Sequence, residues 1–277
     1  MKILISGAGI AGSTLAHWLV RYGFQPTIIE KAPQLRTAGY MIDFWGAGMD
    51  VAGRMGLIPE IRRKGYAVQE VRVVNSNGKR VAGFSPEVFA RATQGGFISL
   101  PRGDLAASIF STLEGKIEAI FGDSIARIDQ EPGCVRVAFE YGPEREFDLV
   151  IGADGLHSNV RELVFGIERN FEAYLGYVVA AFTIDNYSRR DELVYVMYTE
   201  VHQQVARFSM RDGRTMFLFV FAEKDAPNAD GDLASHKAIL RKRFGNSGWE
   251  CPQILDALDA CRDLYFDRVS LILMVSD

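Results

Sequence analysis

The spacing Gly7-x-Gly9-x-x-Gly12 constrains this chain more than any other feature of it. Ile3, Leu4 and Ile5 before the glycines form an apolar run suited to a buried strand, and Leu15, Ala16, Leu19 and Val20 after them recur at helical spacing. Strand, tight turn and helix in that order open a βαβ unit. In such a unit the first glycine makes the turn, the second lets backbone approach a pyrophosphate, and the third lets helix pack on strand. Gly7, Gly9, Ile10, Ala11 and Gly12 are therefore candidate phosphate-binding positions, because the free N–H groups of a helix N-terminus attract anions. A second apolar run, Thr27-Ile28-Ile29, ends in Glu30, eighteen residues after Gly12, with Lys31 next. A carboxylate there accepts hydrogen bonds from a ribose and would repel a 2′-phosphate.

Other readings of the same stretch remain open. Residues 3 to 20 carry no formal charge, so hydropathy alone would fit an export segment or a spanning helix, but neither requires glycines at fixed offsets. An ordinary βαβ unit whose glycines only close a turn is one alternative, and a simple NAD-dependent dehydrogenase is another.

The bulk composition, 277 residues with 48% hydrophobic and 24% charged, suits one large or two modest globular domains. A net charge of −4 gives no support for a nucleic-acid or anionic-membrane partner, and Arg62-Arg63-Lys64 reads as a solvated helix end. The three cysteines form no C-x-x-C pair and the four histidines no H-x-x-x-H spacing, so no metal site is expected. Free thiols in a reducing cytoplasm are.

Along the chain, residues 35 to 61 are glycine-rich and then helical, and two β-rich runs flank the hairpin signal Asn77-Gly78. A helix follows over residues 103 to 113, then a β-meander up to residue 154. From about residue 176, "GYVVAAFTI", "ELVYVMYTE", "QQVARFSM" and "TMFLFVFAE" read as an antiparallel sheet with a turn at Asp212-Gly213. Helical period resumes over 231 to 245 and 252 to 261.

"DLVIGADGLHSNVRELVFG", residues 148 to 166, is the second informative stretch. An apolar strand runs into Asp154-Gly155, and Ser158 and Arg161 lie one helical turn apart on one face of the helix that follows. A helix cap with a surface salt bridge would read the same way. Together with the opening motif, however, the stretch resembles the class A flavoprotein monooxygenases, the aromatic hydroxylase group that includes tetracycline-inactivating flavin enzymes. The resemblance implies an α/β fold: a Rossmann-like FAD-binding domain (1–70 and 100–170) with an inserted antiparallel β-sheet substrate domain (71–99 and 171–268), and residues 269–277 beginning a return to the first.

What the resemblance implies for the site is FAD as cofactor, NADPH or NADH as a transient electron donor, and oxygen with a small aromatic or polyketide-like molecule as substrates. It sets Asp154 and Gly155 beside the flavin pyrophosphate and the nicotinamide donor. "SLPRGDLAASI" supplies Arg102, matching the family's flavin-contacting arginine before a helix. "RTAGYMID" matches an Arg-to-Asp spacing of the tetracycline-inactivating branch, so Arg36 would assist the nicotinamide donor and Asp43 would touch FAD. Surface or turn roles are the alternatives for each. No catalytic side chain is expected, because the cofactor carries the chemistry. Tyr195, Met197, Phe208, Met210, Phe217 and Phe219 are candidate pocket walls or core. The family's later G-D motif is not matched by "FDRVSLILMVSD", where a strand over Val269 to Val275 is expected, so a shortened and inactive flavoprotein is the further alternative.

Overall fold

The opening motif folds as its spacing requires. In the computed structural model, which describes residues 1–35, 39–93, 95–224 and 231–274, strand β1 (Lys2–Ser6) turns at Gly7 into helix α1 (Ile10–Arg21). Strand β2 (Gln25–Glu30) then returns parallel to β1, with Ile5 beside Ile28. Helix α1 has only 12 residues, and among the described residues no helix is long and apolar enough to cross a membrane.

The chain continues through β3 (Met41–Trp45), α2 (Ala47–Arg54), α3 (Ile58–Lys64), β4 (Glu70–Val74), β5 (Arg80–Phe84), α4 (Glu87–Ala92), β6 (Phe97–Pro101) and α5 (Arg102–Ser111). Next come β7 (Glu118–Phe121), β8 (Ile125–Glu131), β9 (Cys134–Phe139), β10 (Arg145–Phe147), β11 (Leu149–Gly152) and α6 (Asn159–Phe165). The last elements are β12 (Glu172–Asp185), β13 (Val194–Glu200), β14 (Gln203–Ser209), β15 (Arg214–Ala222), α7 (Leu233–Phe244), α8 (Cys251–Ala260) and β16 (Tyr265–Ile272). Two compact units result: Met1–Thr37, Gly103–Ala173 and Ser270–Asp277 form the first, and Ala38–Arg102 with Tyr174–Val269 form the second.

The first unit is built on a parallel sheet of order β11-β1-β2-β7, beside a three-stranded antiparallel sheet β10-β9-β8. Its central strands β1 and β2 are apolar without alternation because both faces are covered. Ile3, Ile5 and Ile28 pack with Ala16 and Leu19 of α1, while Leu4 and Ile29 pack on the other side with Val137, Phe139 and Val160.

The second unit is built on a seven-stranded sheet of order β16-β12-β15-β14-β13-β4-β5, with β3 and β6 paired separately. Phe217, Phe219 and Phe221 on β15 are fully buried and face Leu240 and Phe244 of α7 and Ile254 and Leu258 of α8. Burial of each such ring stabilises by about 1.5–3 kcal/mol. Alternation sends Phe208, Met210 and Met216 to the opposite face, with Tyr66 and Val68. The β14–β15 turn has Asp212 at φ 63° and Gly213 at φ 75°, the two positive values that a tight hairpin of this twist needs. Just before it, Arg211 donates to the carbonyls of Arg63, Lys64 and Gly65 at 3.1, 3.0 and 2.7 Å, and its guanidinium lies 4.4 Å from the Tyr66 ring centre. It thereby caps the C-terminal end of α3.

Several elements differ from the sequence expectation. The large sheet is mixed rather than antiparallel, because β4 runs parallel to β13 with Val71 beside Tyr195. Residues 39–70, read with the nucleotide-binding part, cluster with the second unit, since β3 pairs with β6 and Tyr66 bonds Ser99. Met41–Trp45 is a strand within a stretch read as loop and helix. The last strand begins at Tyr265, earlier than expected, and residues 275–277 lie outside the described residues. The cysteines are unpaired, and burial pushes the Cys251 thiol up to about 12.

Candidate nucleotide site and aromatic face

In the first unit the G-x-G-x-x-G turn and the D-G turn meet at the ends of adjacent parallel strands, where Ser6 pairs with Gly152. Gly7 has φ 105°, and a Cβ there would lie 2.5 Å from the Ala153 carbonyl oxygen. A Cβ on Gly12 would lie 2.0 Å from the Gly7 oxygen, so α1 packs against the turn only because both positions are bare. Gly9 is different: nothing lies within 4 Å of its Cβ position, and it is exposed. It is the N-cap of α1, with no side-chain cap and no acidic residue in the first helical turn. The first N–H groups of a helix have no partner within it, so Ile10, Ala11 and Gly12 bring backbone donors without intrahelical partners next to a bare, exposed glycine.

Glu30 stands at the end of β2 and braces this turn. Its Oε2 accepts from the Ala8 N–H at 2.9 Å and its Oε1 from the Ala32 N–H at 2.9 Å. Lys31 beside it is exposed. Asp154 is a hub: its carboxylate accepts from Ser6 Oγ at 3.2 Å, from the Val160 N–H at 3.0 Å and from Ser158 Oγ. Ser158 caps α6 by accepting from the Arg161 N–H at 3.0 Å. Arg161 points elsewhere, donating to the Leu156 carbonyl at 2.7 Å and to Glu168 at 2.9 Å, and it is buried. Gly155, at φ 85°, has open space at its Cβ position.

In the second unit Asp43 on β3 lies opposite Ser99 on β6, whose hydroxyl donates to the Asp43 carboxylate at 2.5 Å. Arg102 directly follows β6; its N–H donates to the Tyr40 carbonyl at 3.1 Å and its side chain is exposed. Tyr195 packs on Phe208 with ring centres 4.5 Å apart and the rings tilted by 32°, and Phe208 meets Tyr66 edge-on at 5.1 Å. Burial first, and the Asp43 charge second, push the Tyr195 hydroxyl far above its usual range, so it stays protonated.

Of the sequence-predicted wall residues, Tyr195, Phe208 and Met210 share this aromatic face with Tyr40 and Met41. Phe217 and Phe219 do not, because the strand's period of two turns them into the helix-facing core. Arg36 lies outside the described residues. Sequence reading missed Ser99, the partner of Asp43; its place three residues before Arg102 becomes informative only once β3 and β6 are in register.

The nucleotide cradle suits the group that the D-G and glycine motifs imply: the backbone is bare where a pyrophosphate would approach, and it is closed by contacts that any side chain would break. A family model described as FAD binding domain matches residues 1–253. A flavin-dependent monooxygenase of an unknown prokaryotic organism is 35% identical over 99% of this chain and 70% of its own length. A flavin-dependent monooxygenase of Legionella longbeachae serogroup 1 is 31% identical over all of this chain and 70% of its own length. Among solved structures, tetracycline destructase Tet(55) superposes with a TM-score of 0.86 at 32% identity, covering 99% of this chain and 70% of that one. The chain belongs to the FAD-binding family of class A flavin-dependent monooxygenases.

Proposed function

We propose that this protein binds FAD and, with NADPH or NADH and oxygen, hydroxylates an aromatic or polyketide-like small molecule. The observation that carries the reading is the exposed, uncapped start of α1 at Gly9, abutting the D-G turn, in a chain of this family. Backbone N–H groups from Gly9 to Gly12 would hold the pyrophosphate. Glu30 keeps lone pairs beyond the two it uses on the loop, enough for the ribose hydroxyls, and Lys31 would flank them. Asp154 would act by fixing the turn that presents Gly155, since its own carboxylate already has three donors.

When bound, FAD supplies the redox chemistry, taking electrons from the nicotinamide donor and activating oxygen. By the family resemblance, Asp43, which accepts from Ser99, and the exposed Arg102 would be polar contacts of the cofactor; the same role is proposed for Arg36. Tyr195, only partly buried, would give the substrate ring an apolar aromatic contact, with the buried Phe208 and Met210 packed behind it. The likeness to tetracycline destructase makes a tetracycline the first substrate to try. The unpaired cysteines fit a reducing cytoplasm.

The test is an absorbance spectrum of the purified chain, with and without added FAD, followed by NADPH and NADH oxidation in the presence of a tetracycline or a phenol. Stoichiometric flavin with substrate-dependent oxidation is expected. A folded chain that takes up no flavin from excess FAD would overturn the reading and leave an inactive relative.

A further inference from the structure

The second unit carries another concave site, on the sheet face opposite Tyr195 and Phe208. Three neighbouring strands set Arg72, Val196 and Arg207 in one cross-strand row, and the row opens into a cavity of about 470 Å³. Four arginines line it, with Arg189 and Arg190 joining from the loop before β13, against two carboxylates, Asp191 and Glu250. The lining alone has an excess of two positive charges, and from outside it Glu192 pairs Arg190 at 2.9 Å and Glu70 pairs Arg72 at 2.8 Å, which leaves Arg189 the least neutralised of the four.

The deepest cation is already committed. Arg207 is buried, with Nη2 at 2.7 Å from Asp191 Oδ2 and Nε at 3.1 Å from Glu250 Oε2, although that Nε–H finds no acceptor in line. Tyr187 donates to the same Glu250 oxygen at 3.0 Å. Arg72 is held by Asp191 at 2.8 Å and by Glu70 at 2.8 Å. Arg189 is the loosely held member, 59% exposed and 3.5 Å from Glu250 Oε1.

Trp249 forms the apolar side. Its backbone has φ 58°, a region costly for a bulky side chain, and its N–H is anchored on the Ser76 carbonyl. That conformation leaves the indole partly exposed at the cavity, 6.0 Å from the Arg207 guanidinium. Strain of this kind persists only where the surroundings impose it, and here it presents a flat ring in a cavity that Arg189 also lines.

We infer that this cavity binds a small planar carboxylate, an aromatic acid, with its carboxylate on Arg189 and its ring against Trp249 and Val196. Guanidinium forks match carboxylates in shape and charge. A phosphate dianion would meet Asp191 and Glu250 with greater repulsion, and an aliphatic polyanion would leave the indole uncovered. The site lies on the other face of the sheet from the proposed substrate wall, so its test does not depend on flavin binding.

The experiment titrates the full chain with benzoate, reading tryptophan fluorescence and heat. Saturable quenching is expected, with Arg189→Gln raising Kd roughly tenfold, about one charge-assisted hydrogen bond, and Trp249→Phe removing the optical change. Arg91→Gln, an exposed arginine on α4, should leave Kd unchanged. The inference is overturned by no saturation up to about 10 mM, a range that covers weak binding. It is equally overturned by an affinity that survives Arg189→Gln, by an optical change that survives Trp249→Phe, or by inorganic phosphate displacing benzoate at equal concentration.

Discussion

Gly7 and Gly9 sit two positions apart and answer to different demands. At Gly7 a methyl group would meet the Ala153 oxygen at 2.5 Å on a backbone with φ 105°. Gly7→Ala should therefore cost about 2–4 kcal/mol, combining left-handed strain with overpacking, read as a lower urea midpoint. Gly9→Ala meets nothing within 4 Å on a backbone with φ −70°, so its stability should change by less than about 1 kcal/mol, while its affinity for FAD falls as the methyl stands where a phosphate would approach. A Gly9→Ala chain that folds and keeps full FAD affinity would remove the cradle from the mechanism. These glycines are legible in sequence because a backbone that tolerates no Cβ leaves only one residue type. The cross-strand partners of Asp43 and Asp154 are not, because Ser99 and Ser6 reach them across strand pairings that no local pattern encodes.

At the level of elements, hairpins and helices could be read from local chemistry. Asp212-Gly213 and Asn77-Gly78 both lie in turns with positive φ, and α5, α7 and α8 fall where the helical period placed them. Strand β3 was not legible, since Met41–Trp45 is too short to show alternation and is a strand only because β6 pairs with it. The tie between α3 and the β14–β15 hairpin was equally invisible. Arg211 satisfies three carbonyls at the end of a helix of only 7 residues, too short to hold itself together. Arg211→Ala should cost about 2 kcal/mol by losing charge-assisted bonds and the stacking on Tyr66. Amide exchange in α3 should rise more than in α7 if the tie is local, and equal rises would show that it is not.

For the whole molecule, charge and connectivity set the limits of stability. Hydrogen bonds from Arg72 to Glu70, from Arg145 to Glu118 and from Tyr198 to Glu200 hold these carboxyls below their usual range, and Arg63 holds Glu60 down to about 2. The folded pKa lies below the unfolded one, so this stability is complete above the ordinary carboxylate range and is lost as pH falls from about 4.3 through the folded values. The thermal midpoint should drop between pH 5 and pH 3 and stay flat from pH 5 to pH 7, and a midpoint flat throughout would contradict it. Both units are discontinuous in sequence, so a single cut cannot isolate either of them. A fragment of residues 1–173 should be insoluble when expressed alone, because it contains β4 without β13; a soluble fragment with native circular dichroism in its strands would refute this. The same pairing has a cost during synthesis. Val71 must wait for Tyr195, a separation of about 120 residues, which at 5–20 residues per second is roughly 6–24 s on the ribosome. Through that interval the β4–β5 hairpin, with Val81 and Phe84 exposed even in the finished fold, carries on β4 an open edge of the kind that templates pairing with other chains, so the time before β13 emerges is when this chain is most exposed to misassembly.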